Sequence, residues 1–253
     1  FSHFAWSYLG VNFDGDRFGT ADYKSSEQAI LTYWRDFKRE CKDTPIEVRG
    51  TNFAMAMDLA SDFTPYEAIY SGDFIRLPPP NSPWGPLNKD FGLEMIGYMS
   101  RIAVLPDKHF LFRYYPNDPW FWQNPWWDWY DREPFDIYCP MSVGRMNGSG
   151  AIENPQVIQF LTIDTEKGIV DERCPLEVIP HIRRGIEEYP NEPGILTWLY
   201  PFDEYHTVAK IDASQVPAVF FGDWFARSAV NSGLPLNTIL STRDFKSVLS
   251  GNR

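Results

Sequence analysis

Cysteine and histidine are scarce in this chain of 253 residues, with three of the first and four of the second. Cys41, Cys139 and Cys174 lie far apart with no C-x-x-C spacing, and His3, His109, His181 and His206 form no H-E-x-x-H. Buried thiols, no disulfide framework and no dedicated metal site are therefore expected. Basic residues are in deficit: 23 Lys and Arg stand against 34 Asp and Glu, a net charge of −11. That balance removes the electrostatic footprint a nucleic acid or other polyanion needs. Long apolar runs are missing as well, because charges or prolines interrupt each one before the roughly 18 to 20 residues of a membrane-spanning helix. A soluble chain with no membrane partner is the expectation. No basic n-region precedes an apolar h-region, and Phe1 opens the chain, which reads as a processed product or part of a longer polypeptide. Its compartment is not encoded. G-x-G-x-x-G, G-x-x-x-x-G-K-[ST] and G-x-S-x-G are all missing, which argues against nucleotide cofactors and a serine-hydrolase elbow. No cofactor is expected.

What is present is aromatic and apolar: 43% hydrophobic residues, 17% of the chain aromatic, enough for a sizeable core. Short β-rich runs recur at Phe4–Phe13, Ile46–Phe53, Phe110–Tyr115, Phe135–Pro140, Val157–Asp164 and Ile195–Pro201, several followed by helical patterns. Between Ser26 and Glu40, Ile30, Leu31, Trp34 and Phe37 make one apolar stripe at helical spacing, and Ser25 with Gln28 reads as a capping box. A second helix is expected from Cys174-Pro175, burying Val178, Ile179, Ile182 and Ile186, with a kink or restart at Pro180. Weaker helical patterns cover Leu93–Val104 and Phe221–Asn231, the latter closed by Gly233. Six strand-and-loop units fit part of a (β/α)8 TIM barrel, residues 1–212, lacking its N-terminal units. Residues 213–253 then supply the last barrel unit or open a Rossmann-like α/β domain.

Two clusters carry candidate chemistry. The segment Asp118–Asp131, DPWFWQNPWWDWYD, holds five of the ten tryptophans: Trp120, Trp122, Trp126, Trp127 and Trp129. Its prolines forbid a continuous helix, so several indoles are expected at the surface, as a sugar platform, a protein interface or a lid. The second cluster is carboxylic. Asp164 ends the run LTID, and Asp203 and Glu204 follow ILTWLYP. Two carboxylates facing each other across a barrel mouth are the minimum machinery of glycoside hydrolysis. Arg113, Asp118, Arg145 and His206 stand at strand ends as candidate substrate-binding groups, though arginines there more often form structural ion pairs. Asp14, Asp16 and Asp22 lack the full calcium-loop pattern and read as an acidic turn.

Through LTIDTE, YPFDEYH and the Trp-rich loop, the chain resembles the TIM-barrel glycoside hydrolases, and GLPLNTILSTRDF resembles the opening of the Rossmann-like domain that follows the barrel in some β-galactosidases. The resemblance implies hydrolysis of glycosidic bonds, with Asp164 after the seventh strand. The fourth would end at Thr51-Asn52-Phe53, without the Glu usual in that family. The expected partner is an oligo- or polysaccharide, with a homo-oligomer or further domains of a longer chain left open. The alternative is a non-catalytic glycan-binding or assembly module on the same scaffold.

Overall fold

The computed structural model describes residues 12–13, 15–16, 18–19, 23–46, 65–74, 90–105, 109–114, 135–160, 172–215, 218 and 224–251. Near its start a short antiparallel hairpin pairs β1 (Asn12–Phe13) with β2 (Phe18–Gly19). Gly15 in the turn has φ +107, a conformation that costs a side-chain-bearing residue.

Helix α1 (Tyr23–Glu40) buries Ile30 and Trp34, two members of the expected stripe. It starts before Ser25, which stands inside the first turn rather than at the cap position expected of it, and Gln28 donates to Thr32 Oγ1 along the helix surface. After α2 (Tyr66–Ser71), α3 (Phe91–Ala103) is the most deeply buried helix described: Met95, Ile96, Tyr98, Met99, Ile102 and Ala103 are all buried. Apolar residues on nearly every side mark a helix enclosed by other elements rather than one lying on a surface. Strand β3 (Leu111–Tyr114) follows.

The segment expected as a strand at Phe135–Pro140 is helical, α4 (Phe135–Met141), which packs against α5 (Arg173–Glu187). The apolar run there is short, and periodicity alone does not separate a buried strand from a buried helical turn. Pro180 neither ends nor restarts α5, which continues through it and buries Val178 and Ile182 while Ile179 and Ile186 stay exposed.

Strands β4 (Gly144–Met146) and β5 (Ile152–Glu153) form a hairpin whose turn is built by Asn147. Its Oδ1 accepts from Ser149 N at 3.0 Å and Ala151 N at 3.1 Å, and Gly150 takes φ +86. Next come β6 (Val157–Phe160), then β7 (Leu196–Tyr200), α6 (Phe202–Ile211) and α7 (Trp224–Asn231). The last pair, β8 (Leu236–Ser241) and α8 (Thr242–Gly251), closes the described chain. Gly233 follows α7 with φ +90, the left-handed residue expected there.

Pairing corrects the barrel. Strands β3 and β6 form one parallel pair, while β5-β4-β8-β7 forms a separate mixed sheet in which β5 runs antiparallel. A (β/α)8 barrel needs eight parallel strands that neighbour one another in chain order and close on themselves. Here β4 lies beside β8 and β8 beside β7, and the described residues show no closed array. The order reflects who is available to bury whom: Ile239 and Leu240 of β8 are enclosed, so β8 takes the centre, flanked by β4 and by the more exposed β7. Helix α3 covers this sheet and packs on α7, where Gly92 lets the backbones meet; a Cβ there would collide with Arg227 O.

Among the described residues no helix is long and apolar enough to cross a membrane. Cys41 and Cys139 are half-buried rather than fully buried.

Candidate functional site

Three parallel strands, β4, β8 and β7, end on the same side of their sheet, and the segments that leave those ends frame an open crevice of about 600 Å³. In open α/β sheets the carboxyl edge is where connecting segments diverge, which leaves a cleft ringed by backbone and polar side chains. The volume lies within the range of small-ligand sites, about 300 to 1,000 Å³. Val104 and Leu105, just after α3, and Phe202 give it an apolar floor, while its charge comes from three directions.

The β8 end is the most ordered. Ser241 caps α8: its Oγ accepts from Asp244 N at 3.0 Å and its hydroxyl donates to Asp244 Oδ2 at 2.9 Å. This reciprocal cap aims the Asp244 carboxylate back over the strand end. Arg145 on β4 meets it there, with Nη2 3.5 Å from Asp244 Oδ2 and Nη1 3.4 Å from Glu153 Oε2 on β5. The Arg145 side chain is 3% exposed, so its charge needs both carboxylates. Asn147 steadies Glu153 by donating to Oε1 at 2.9 Å.

The second guanidinium is Arg243, one residue into α8's first turn and half-exposed. Nη1 donates to Glu67 Oε1 at 2.8 Å and Nη2 to Glu67 Oε2 at 3.0 Å, while Nη2 also reaches Asp203 Oδ2 at 3.1 Å. The bond to Glu67, ahead of the attraction of Asp203, raises the Arg243 pKa and keeps it a cation at any working pH. Glu67 from α2 and Asp203 from α6 are thereby held within two hydrogen-bond lengths of each other, despite their like charge.

Of the residues singled out in the sequence, the crevice takes in Asp203 and Arg145. Asp203 does follow β7, but in the first turn of α6 rather than in a loop. Glu204, next to it, is turned out of the lining and lies 3.6 Å from Lys246 Nζ. Arg145 is a buried ion-pair residue of the wall, the role arginines most often fill there. His206 is not in the lining: its ring packs on Phe202 with centroids 5.3 Å apart. Burial, helped by the charge of Lys210, pushes its imidazole down to about 3, so it is neutral in the folded protein. Arg113 lies on β3 opposite Gln159 of β6, its side chain outside the described residues. Asp164, Asp118 and Trp120, Trp122, Trp126, Trp127 and Trp129 also lie outside them.

Sequence reasoning missed Glu67, Glu153, Arg243 and Asp244. Glu67 carries no local signal, since only folding brings it to a partner 176 residues away. Asp244 did have one: Ser241-x-x-Asp244 directly after an apolar strand is a capping pattern that marks a helix start. Among the described residues no group of His, Cys, Asp and Glu is placed to hold a metal ion. No family, curated protein or solved structure matches the chain.

Proposed function

We propose that this chain is a carbohydrate-active protein that takes a saccharide into the strand-end crevice and hydrolyses its glycosidic bond, with Asp203 and Asp244 as the crevice carboxylates. The observation that carries this reading is one open cleft ringed by three carboxylates and two guanidinium groups over an apolar floor. Sugars are recognised by such mixtures: ionised side chains exchange hydrogen bonds with hydroxyls, while apolar surface meets the C–H faces of the ring. Glycoside hydrolysis further requires two carboxyl groups on opposite sides of the scissile bond, about 5 to 9.5 Å apart according to stereochemical outcome. Asp203 and Asp244 leave two different strand ends and line the same cleft. In this reading the tryptophans of 118–131 supply indole faces for further sugar rings, and Asp164 is a third candidate carboxylate.

A second reading, saccharide binding without turnover, is favoured by a specific feature: Asp203 is paired with Arg243 and Asp244 with Arg145. A carboxylate engaged by a guanidinium already has its oxygens committed to that partner, which suits holding a ligand in place more than attacking it.

The experiment that separates the two is hydrolysis of a panel of aryl glycosides and oligosaccharides by the protein and by Asp203→Asn, Asp244→Asn, Asp164→Asn and Glu204→Gln, with circular dichroism to confirm folding. The hydrolytic reading expects turnover that falls at least 100-fold in Asp203→Asn and is kept in Glu204→Gln. Saccharide binding that depends on Asp203 without turnover on any substrate establishes the second reading, and a chain that neither binds nor turns over saccharide excludes both.

A further inference from the structure

Arg243 presents a planar fork at the crevice, and Glu67 fills it with two parallel N–H···O bonds of 2.8 and 3.0 Å. Fork-on-fork pairing is how arginine recognises any carboxylate, a ligand's included. Both partners are about half exposed, 54% for Arg243 and 55% for Glu67. A pair this wet is held by screened attraction and gives way at little cost. Arg145 is different: buried, and tied to two carboxylates of its own wall.

We propose that Glu67 is an internal stand-in for a ligand carboxylate, and that the crevice accepts a short saccharide bearing one carboxylate, a uronic-acid unit, which displaces Glu67 from Arg243 while Asp203 stays on Nη2. The exchange replaces one carboxylate by another on the same guanidinium. It therefore adds a single anionic group at a cationic fork, which is a different matter from binding a polyanion against a net charge of −11. A neutral sugar has no group that competes with Glu67 in this geometry, so Glu67 acts as a filter for charge. The inference rests on the saccharide reading of the same cleft.

Calorimetric titration of the full chain with a disaccharide carrying one glucuronate, and with its neutral glucose counterpart, tests it. The charged sugar is expected to bind more tightly than the neutral one. Glu67→Gln, which cannot fill the fork as an anion, is expected to tighten the charged sugar about two- to fivefold, the range an exposed ion pair contributes to an equilibrium, and to leave the neutral sugar unchanged. Arg243→Gln is expected to abolish the preference, and Arg243→Lys, which keeps the charge without the fork, to retain only part of it. Equal affinity for the two sugars, or no tightening in Glu67→Gln, overturns the inference and leaves the saccharide reading standing. Binding of neither sugar by a protein that melts cooperatively overturns the inference, and the saccharide reading then stands or falls on the glycoside panel.

Discussion

The α3 core and the strand-end crevice share β4 and β8, yet they are held together in opposite ways. Around α3, Tyr98, Met99 and Ile102 meet Phe110, Phe112, Ile137 and Ile239 in one apolar cluster, where each contact is non-directional and the sum is large. At the crevice the same strands end among directional ion pairs: those of Arg243 are half-solvated and individually weak, and those of Arg145 are buried. The core is where stability resides. The crevice can therefore carry side chains chosen for what they bind, because losing one of them costs the fold little, Arg145 excepted.

Substitutions in the core and at the crevice should separate the two by the size of their effects. Ile102 is fully buried, so Ile102→Ala is expected to lower unfolding free energy by about 2 to 5 kcal/mol in urea titrations. A change below about 1 kcal/mol would mean that the α3 cluster is not the core of the molecule. Arg145→Ala leaves Glu153 and Asp244 facing each other at a buried wall, with an expected loss of about 3 kcal/mol. Arg145→Met in the background of Glu153→Gln should recover part of it, because fewer uncompensated charges remain.

His206, outside the crevice lining, makes the stability of the chain depend on pH. Its imidazole titrates near 3 in the folded chain against about 6.5 when unfolded, so the unfolded state takes up a proton first as the solution is acidified. The contribution of His206 is thus fully present above about pH 6.5 and is lost on acidification between there and pH 3, by about 1.4 kcal/mol per pH unit over most of that range. Stability measured from pH 7 to 4 in the protein and in His206→Gln should show a shallower slope in the variant; parallel curves would remove His206 as the cause.

Smaller effects test the crevice itself. Ser241→Ala removes the cap of α8 and is expected to cost about 1 kcal/mol, read as a lower melting temperature. Smallest of all, Arg243→Gln should change stability by less than about 1 kcal/mol, since its pairs are half-exposed. A larger loss would show that the crevice pairs are structural and would erase the contrast with the core.

Much of the local structure was legible in the sequence. The stripe Ile30–Trp34, the helix over Leu93–Val104 and the glycine after Asn231 all depend on neighbours within a turn or two of the chain, which is where periodicity and capping operate. Phe135–Pro140 fits a strand or a helix for the same reason: five apolar or aromatic residues and Asp136 satisfy either period, and packing against α5 selects the helix. The barrel failed one level higher. A rhythm of strands and helices is common to many α/β architectures, and nothing in the spacing states that β4 will neighbour β8 rather than β6. Of the candidate site, Asp203 was readable because it follows an apolar strand directly, a purely local fact.

The charge balance, the apolar stripes, the turn glycines and the carboxylate that follows Tyr200 are written in the residues alone, because these are properties of composition or of a few consecutive positions. Long-range packing set the strand order, turned Glu204 away from the cleft, enclosed His206 far enough to keep its ring neutral and placed Glu67 against Arg243. Each of those depends on which distant surfaces meet, and that choice is made by the burial of the whole chain at once rather than by any segment of it.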